Sequence, residues 1–175
     1  GKPVPDIGFG DSLRLDLHGT EIRCYYFGGG HSEDNIAVWI PSAKLLFAGC
    51  MVKEMAAQNA TPEDIERLRR LCERVEAKIH EGDRYIEDDI AFHTCIAESS
   101  KNLVVGQLIP VIDTAVMMFV NVTHKKLIDE TIMTHRMITE AIANHDPIGA
   151  KAAMVMHLNF NRNCIRKLYD GEWET

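Results

Sequence analysis

The hydrophobic period of this chain changes once, near Glu54, from two to between three and four, and a single sheet or a single helical layer cannot absorb both periods. Before that point apolar residues alternate. Leu13, Leu15 and Leu17 are interleaved with Ser12, Arg14 and Asp16, and Ile22, Cys24 and Tyr26 follow the turn His18-Gly19-Thr20. Gly28-Gly29-Gly30 interrupts the run. Ile36 to Ile40 and Leu45 to Ala48, joined at Pro41-Ser42-Ala43, read as two more short strands. The pattern predicts a small β-meander.

After Glu54 helical spacing takes over. Thr61-Pro62-Glu63-Asp64 combines a capping Thr, a first-turn Pro and acids facing the helix dipole. Ile65, Leu68, Cys72, Val75 and Ile79 then form a stripe that stops at Gly82. A second helix is predicted over about 84–99. A third, over 102–122, is apolar nearly all round, which predicts a central position, with a kink at Pro110. A fourth spans about 126–144, and a fifth, capped at Asp146-Pro147, runs to about Tyr169. The chain therefore reads as mainly α: an antiparallel helical bundle over 55–175, preceded by a short β-meander fragment over 1–54.

Four polar residues interrupt the apolar helix faces. Asp89 and His93 stand four apart, hence on one face of the second helix. His135 lies in the row Ile128, Ile132, Thr139, Ile142, and His157 in the row Ala153, Phe160, Cys164, Leu168. Each buried polar group left without a partner costs about 1–3 kcal/mol. Converging the four on one cation satisfies all of them, and one carboxylate with three imidazoles suits Zn²⁺, Ni²⁺, Mn²⁺ or Fe²⁺. The competing reading is four separate core residues with local hydrogen bonds. Asp88 competes with Asp89 for the acidic role, but Asp89 has the i, i+4 relation to His93. His80, His124 and His145 fall at helix ends, where surface placement is expected.

A net charge of −7 argues against direct nucleic-acid binding, because a phosphate backbone calls for a basic stripe. The balance is similar in both parts: 5 basic and 7 acidic residues over 1–54, 14 and 19 over 55–175. The cysteines number five, with no CxxC pair, which predicts reduced thiols and a cytoplasmic location. No apolar run reaches membrane-spanning length without a charge or breaker.

Residues 55–175 resemble the FCD effector-binding domain of the FadR-type branch of GntR transcription regulators. The matching stretches are Ala60-Thr-Pro-Glu-Asp-Ile65, Asp89-Ile-Ala-Phe-His93, Ala97-Glu-Ser-Ser-Lys-Asn102, His135-Arg-Met-Ile-Thr-Glu-Ala-Ile-Ala143 with Asp146, and Ala150-Lys-Ala-Ala-Met-Val-Met-His157-Leu. The resemblance implies an antiparallel helical bundle that holds a divalent ion, zinc or nickel, through Asp89, His93, His135 and His157. It also implies that the ion helps bind a small carboxylate effector, and that the domain pairs as a homodimer. Asn102, Arg136 and Asn161 are candidate polar contacts to that effector. The stretch before residue 55 carries no winged helix-turn-helix pattern, and most of the family's first effector-domain helix, commonly the source of an Arg for ligand carboxylates, is not evident. Met51 to Ala60 reads as its tail.

The first segment resembles something else. Gly28-Gly-Gly-His31-Ser-Glu-Asp-Asn35, followed by Leu46-Phe-Ala-Gly-Cys50-Met-Val-Lys53, is similar to a dizinc metallo-β-lactamase. By that resemblance His31 and Cys50 are ligands of different zincs, and Lys53 holds the substrate carboxylate. Zinc hydrolysis needs a complete ligand shell with an open position for water. The family takes its other ligands from an HxHxD motif and a later His, and no HxH occurs in this chain. His31, Cys50 and Lys53 are therefore expected to be vestigial. The chain reads as chimeric, and its leading function as a metal-containing, ligand-sensing domain rather than an enzyme. A zinc-dependent hydrolase is the alternative.

Overall fold

A computed structural model describes residues 8–26, 36–43, 45–47, 51–123 and 126–170. The chain divides into two compact units, Gly1–Gly49 and Cys50–Thr175.

The first unit holds a four-stranded antiparallel sheet in sequential order, β1 (Ser12–Leu17), β2 (Thr20–Tyr26), β3 (Ile36–Ile40) and β4 (Leu45–Phe47). Leu17 pairs with Thr20, so the β1–β2 loop is only His18 and Gly19, with φ of 52° and 83°. Two left-handed residues in a two-residue loop match the right-handed twist of the strands. The Asp16 carboxylate accepts the Gly19 N–H at 2.8 Å and closes the turn. The register places Leu13, Cys24, Val38 and Phe47 in one cross-strand row, in which Cys24 is buried. The expected meander is present.

The second unit is an antiparallel bundle of α1 (Met51–Asn59), α2 (Pro62–Glu81), α3 (Ile86–Ser99), α4 (Leu103–Thr123), α5 (Ile128–Ala143) and α6 (Pro147–Tyr169). Connections of three to four residues between α2 and α3, α3 and α4, and α5 and α6 make successive helices neighbours. The α2 start is a full capping box: Thr61 Oγ1 accepts from the Asp64 N–H while Asp64 accepts from the Thr61 N–H. Its end is Gly82 at φ 75°.

The core is narrow where α1, α5 and α6 meet. Ala56, Ala57, Ala141, Ala150 and Ala153 are all buried there, and small side chains let helix backbones approach closely. The same core takes in Leu68 and Leu71 of α2 and Phe92 and Ile96 of α3. Polar ties fix α1 in place: His145 Nδ1 bonds the Ala57 carbonyl at 2.8 Å, Asn59 donates to the Ser100 carbonyl at 2.9 Å, and Lys151 pairs with buried Glu54 at 3.3 Å.

Two features differ from the sequence expectation. Residues 51–59, read as a helix remnant, form a complete two-and-a-half-turn helix whose Val52, Ala56 and Ala57 are buried. α4, expected to be central, packs chiefly against α3, and Met117 and Met118 are exposed. An all-apolar helix needs neighbours on every side to be enclosed, and α4 has too few. No described helix is long and apolar enough to cross a membrane. Cys24, Cys72, Cys95 and Cys164 are free and buried, and Cys50 lies outside the described residues.

The α6 start makes a testable point about glycine. Asp146 caps the helix by accepting the Gly149 N–H at 2.9 Å, and a Cβ added at Gly149 would fall 2.2 Å from Asp146 Oδ2. Gly149→Ala should therefore destabilise by about 1 kcal/mol through loss of the cap. In an Asp146→Ala background the same change should instead stabilise by up to about 1 kcal/mol, because alanine is the better helix former. Urea unfolding of the four proteins reads the sign change.

Candidate metal centre

Three helices send imidazoles to one interior point. His93 on α3, His135 on α5 and His157 on α6 each offer a nitrogen, and these nitrogens lie within 4.8 Å of one another. The ring centroids are 5.2–5.3 Å apart. Asp89, one turn before His93, borders the cluster: its Oδ1 is 3.4 Å from His135 Nε2 and 3.9 Å from His93 Nε2. The i, i+4 spacing on α3 and the buried rows of α5 and α6 thus bring together the four residues singled out in the sequence.

Asp88 does not join them. It points the other way, to α2, where Arg74 reaches its Oδ1 at 2.5 Å and Lys78 its Oδ2. Adjacent helical residues are turned about 100° apart, so one of the two acids must face the bundle interior and the other its neighbour helix.

The site is desolvated. His135 is 1% exposed and Asp89 4%. Asp89 Oδ1 and both ring nitrogens of His135 are buried without a hydrogen-bond partner. Phe92 stacks on the His135 ring at 4.2 Å and 20°, a contact that offers its nitrogens no hydrogen bond. His157 is held differently: its Nδ1 lies 2.9 Å from Thr134 Oγ1. Burial drives the protonation states. It holds the His135 and His93 imidazoles well below their ordinary pKa, with neighbouring histidines adding to the effect at both and Lys53 at His93. His157 is lowered to about 4 by burial and then by the Lys53 charge. Burial raises Asp89 to about 7. At neutral pH three uncharged imidazoles carry free lone pairs in one pocket, the form in which histidine ligates a metal.

That donor set fits a divalent borderline ion. Three imidazoles and one carboxylate are a donor set that Zn²⁺ or Ni²⁺ takes up, and a cation there would satisfy the orphaned Asp89 and His135 atoms together.

The other sequence candidates fall in several places. Asn161, one turn after His157, sits at the site, with its amide nitrogen 3.5 Å from His157 Nε2 and 3.2 Å from the His157 carbonyl. Asn102 accepts the Val105 N–H at 3.4 Å at the start of α4. Arg136 does not reach the cluster. It lies on the outer face of α5, bonded to Glu76, and lines an open cleft of about 610 Å³ with Arg69, Glu73 and His80. The 100° step from His135 carries it away. Lys53 is half-buried on α1 and acts electrostatically on His93 and His157. His31 and Cys50 lie outside the described residues. Thr134 was not singled out, because a Thr in a helical row carries no signal without its partner. His80 and His145 are exposed at helix ends as expected, and His124 lies outside the described residues.

Comparison with known proteins agrees with this geometry. The FCD domain family matches residues 49–160, and the chain belongs to that family. Its helical unit is an effector-binding domain of the transcription-regulator type. A solved structure, Streptococcus agalactiae GntR, is similar at a TM-score of 0.54 and 29% identity, covering 63% of this chain and 51% of that one. The chain is also 43% identical over 89 residues to a metallo-beta-lactamase type 2 of Bacteroides fragilis, covering 49% of this chain and 35% of the enzyme. It is 44% identical over 58 residues to that of Bacillus sp. (strain 170), covering 33% and 22%. The chain thus spans about a third or less of the curated relatives it matches. Two unrelated resemblances in one chain make it chimeric. That match covers more of the chain than the 48 residues that precede the FCD match, so the two resemblances overlap.

Removing an orphaned polar ring should not hurt the metal-free fold. His135→Leu is expected to leave metal-free stability unchanged or raised by about 1 kcal/mol, and to abolish any rise in Tm on adding zinc or nickel. An ordinary core histidine would give the reverse, a destabilised protein. Asp88→Asn should lower stability by about 1–3 kcal/mol and leave the metal response intact, whereas Asp89→Asn should weaken the metal response. Thermal melts with and without metal separate the two acids.

Proposed function

We propose that residues 55–175 form a metal-dependent sensor of a small organic acid, with Asp89, His93, His135 and His157 holding one zinc or nickel ion. The observation that carries this reading is the convergence of four buried side chains from three helices on one point, with Asp89 Oδ1 and both His135 nitrogens lacking any other partner. When bound, the ion supplies a Lewis-acidic centre that attracts a carboxylate. The protein residues around it do the rest. Lys53 adds a positive charge on the α1 side, where the family's first helix would present a cation. Asn161 offers an amide N–H one turn below His157. Phe92 and the alanine-lined helix contacts keep water from the rings. The domain acts as a homodimer, and residues 1–54 contribute no hydrolysis.

The test is elemental analysis of protein purified without a His-tag, followed by titration with citrate, lactate and other small carboxylates. About one ion per chain is expected, lost in His135→Ala and kept in Cys50→Ala. A carboxylate should raise Tm only in the metal-loaded protein, by an amount equivalent to about 2.7 kcal/mol at a hundredfold excess over its Kd. Loss of metal in Cys50→Ala but not in His135→Ala, or zinc-dependent turnover of a chromogenic β-lactam, would move the function to the lactamase-like segment. Light scattering reports the dimer.

A further inference from the structure

We infer that Thr134 is a positioning residue that fixes His157 as an Nδ1–H tautomer and so leaves Nε2 as the ring nitrogen with a lone pair to ligate. The inference rests on the proposed metal reading for its consequence, but not for its geometry.

A threonine hydroxyl has one proton to give and lone pairs to accept with. Here the proton is committed. Thr134 Oγ1 lies 2.6 Å from the Glu130 carbonyl, one turn back on α5, and 3.3 Å from the Thr131 carbonyl. Both are acceptors, so the hydroxyl must donate to one of them. Toward His157 Nδ1, at 2.9 Å, only an oxygen lone pair is left. Nδ1 must therefore carry a hydrogen. Thr134 is completely buried, so no water competes for the role.

The other side of the ring agrees independently. Asn161 must turn its NH₂ toward the His157 carbonyl, 3.2 Å away, because a carbonyl can only accept. The same nitrogen lies 3.5 Å from Nε2. A donor facing Nε2 is compatible with a lone pair there and not with a second N–H. Acceptor at one nitrogen and donor at the other specify one tautomer, and it is the one less populated by free histidine in water. A metal-bound imidazole needs this arrangement, with one nitrogen pinned by a hydrogen bond and the other free to ligate.

The contrast with His135 sharpens the role. Neither of its nitrogens has a hydrogen-bond partner, and its ring stacks on Phe92. Thr134 is adjacent to His135 on α5, so one short segment delivers a ligand with its own ring and orients a second ligand on α6.

The test compares Thr134→Val, which keeps the shape and removes the hydroxyl, with Thr134→Ser, which keeps the hydroxyl. In the metal-free protein, histidine-ring ¹H–¹⁵N correlation spectra should show His157 protonated at Nδ1 in the parent and in Thr134→Ser, and at Nε2 or mixed in Thr134→Val. Zinc affinity, read by competition with a chromophoric chelator, should fall 10- to 100-fold in Thr134→Val and stay within about threefold in Thr134→Ser. A parent His157 protonated at Nε2 overturns the inference, as does a Thr134→Val protein that binds zinc as tightly as the parent. A merely structural threonine would lower Tm without moving the tautomer. If the parent binds no zinc the metal reading fails, and the spectra of the metal-free protein still decide the tautomer.

Discussion

Taking a carboxylate and three imidazoles out of water into one pocket is the costliest thing this bundle does. An unpaired buried polar atom costs about 1–3 kcal/mol, and here one carboxylate oxygen and two ring nitrogens are in that condition. Much of the unit's architecture makes sense as the means of holding that pocket together. Asp88 anchors the start of α3 to α2 through Arg74 and Lys78, so that Asp89 and His93 face inward. The ties of α1 to Ser100, His145 and Lys151 place a short helix against α3, α5 and α6, the three elements that carry the candidate ligands.

Rigidity around the pocket is local rather than general. α5 and α6 are joined by a three-residue turn, capped by Asp146 over a glycine that has no room for a side chain. The helices that carry His135 and His157 are therefore joined by a short, capped turn. α4 is different. It packs on α3 but leaves Met117 and Met118 exposed, and it supplies no residue to the cluster. Strongly apolar helices are usually assumed to be central. Here the candidate metal centre is built instead from α3, α5 and α6, whose polar interruptions are the candidate ligands.

Most of this was legible in the residues because caps and periods are local. Thr61, Gly82 and Asp146-Pro147 bound their helices where local chemistry says they should. The four candidate ligands were legible for a similar reason: each breaks a row whose period is otherwise unambiguous. Three things were not. α1 is rich in alanine, which gives little hydrophobic contrast, so Val52, Ala56 and Ala57 did not announce a buried face. Arg136 looked plausible beside His135, but neighbours on a helix diverge, and its partner Glu76 lies sixty residues away. Thr134 was invisible, because a hydroxyl that bonds its own helix becomes informative only once a second helix brings a ring to it.

The lactamase-like resemblance meets the helical unit at Lys53. A zinc hydrolase needs a complete first shell and an open position for water. This chain has no HxH, and its histidine cluster is assembled wholly within Cys50–Thr175. The two resemblances overlap within the chain, and Lys53 lies in α1, inside the FCD match. That lysine's charge acts on His93 and His157. A lysine that by resemblance to one family would meet a substrate carboxylate thus acts, in the helical unit, on two imidazoles of a buried cluster, so one cation serves the electrostatics of either context.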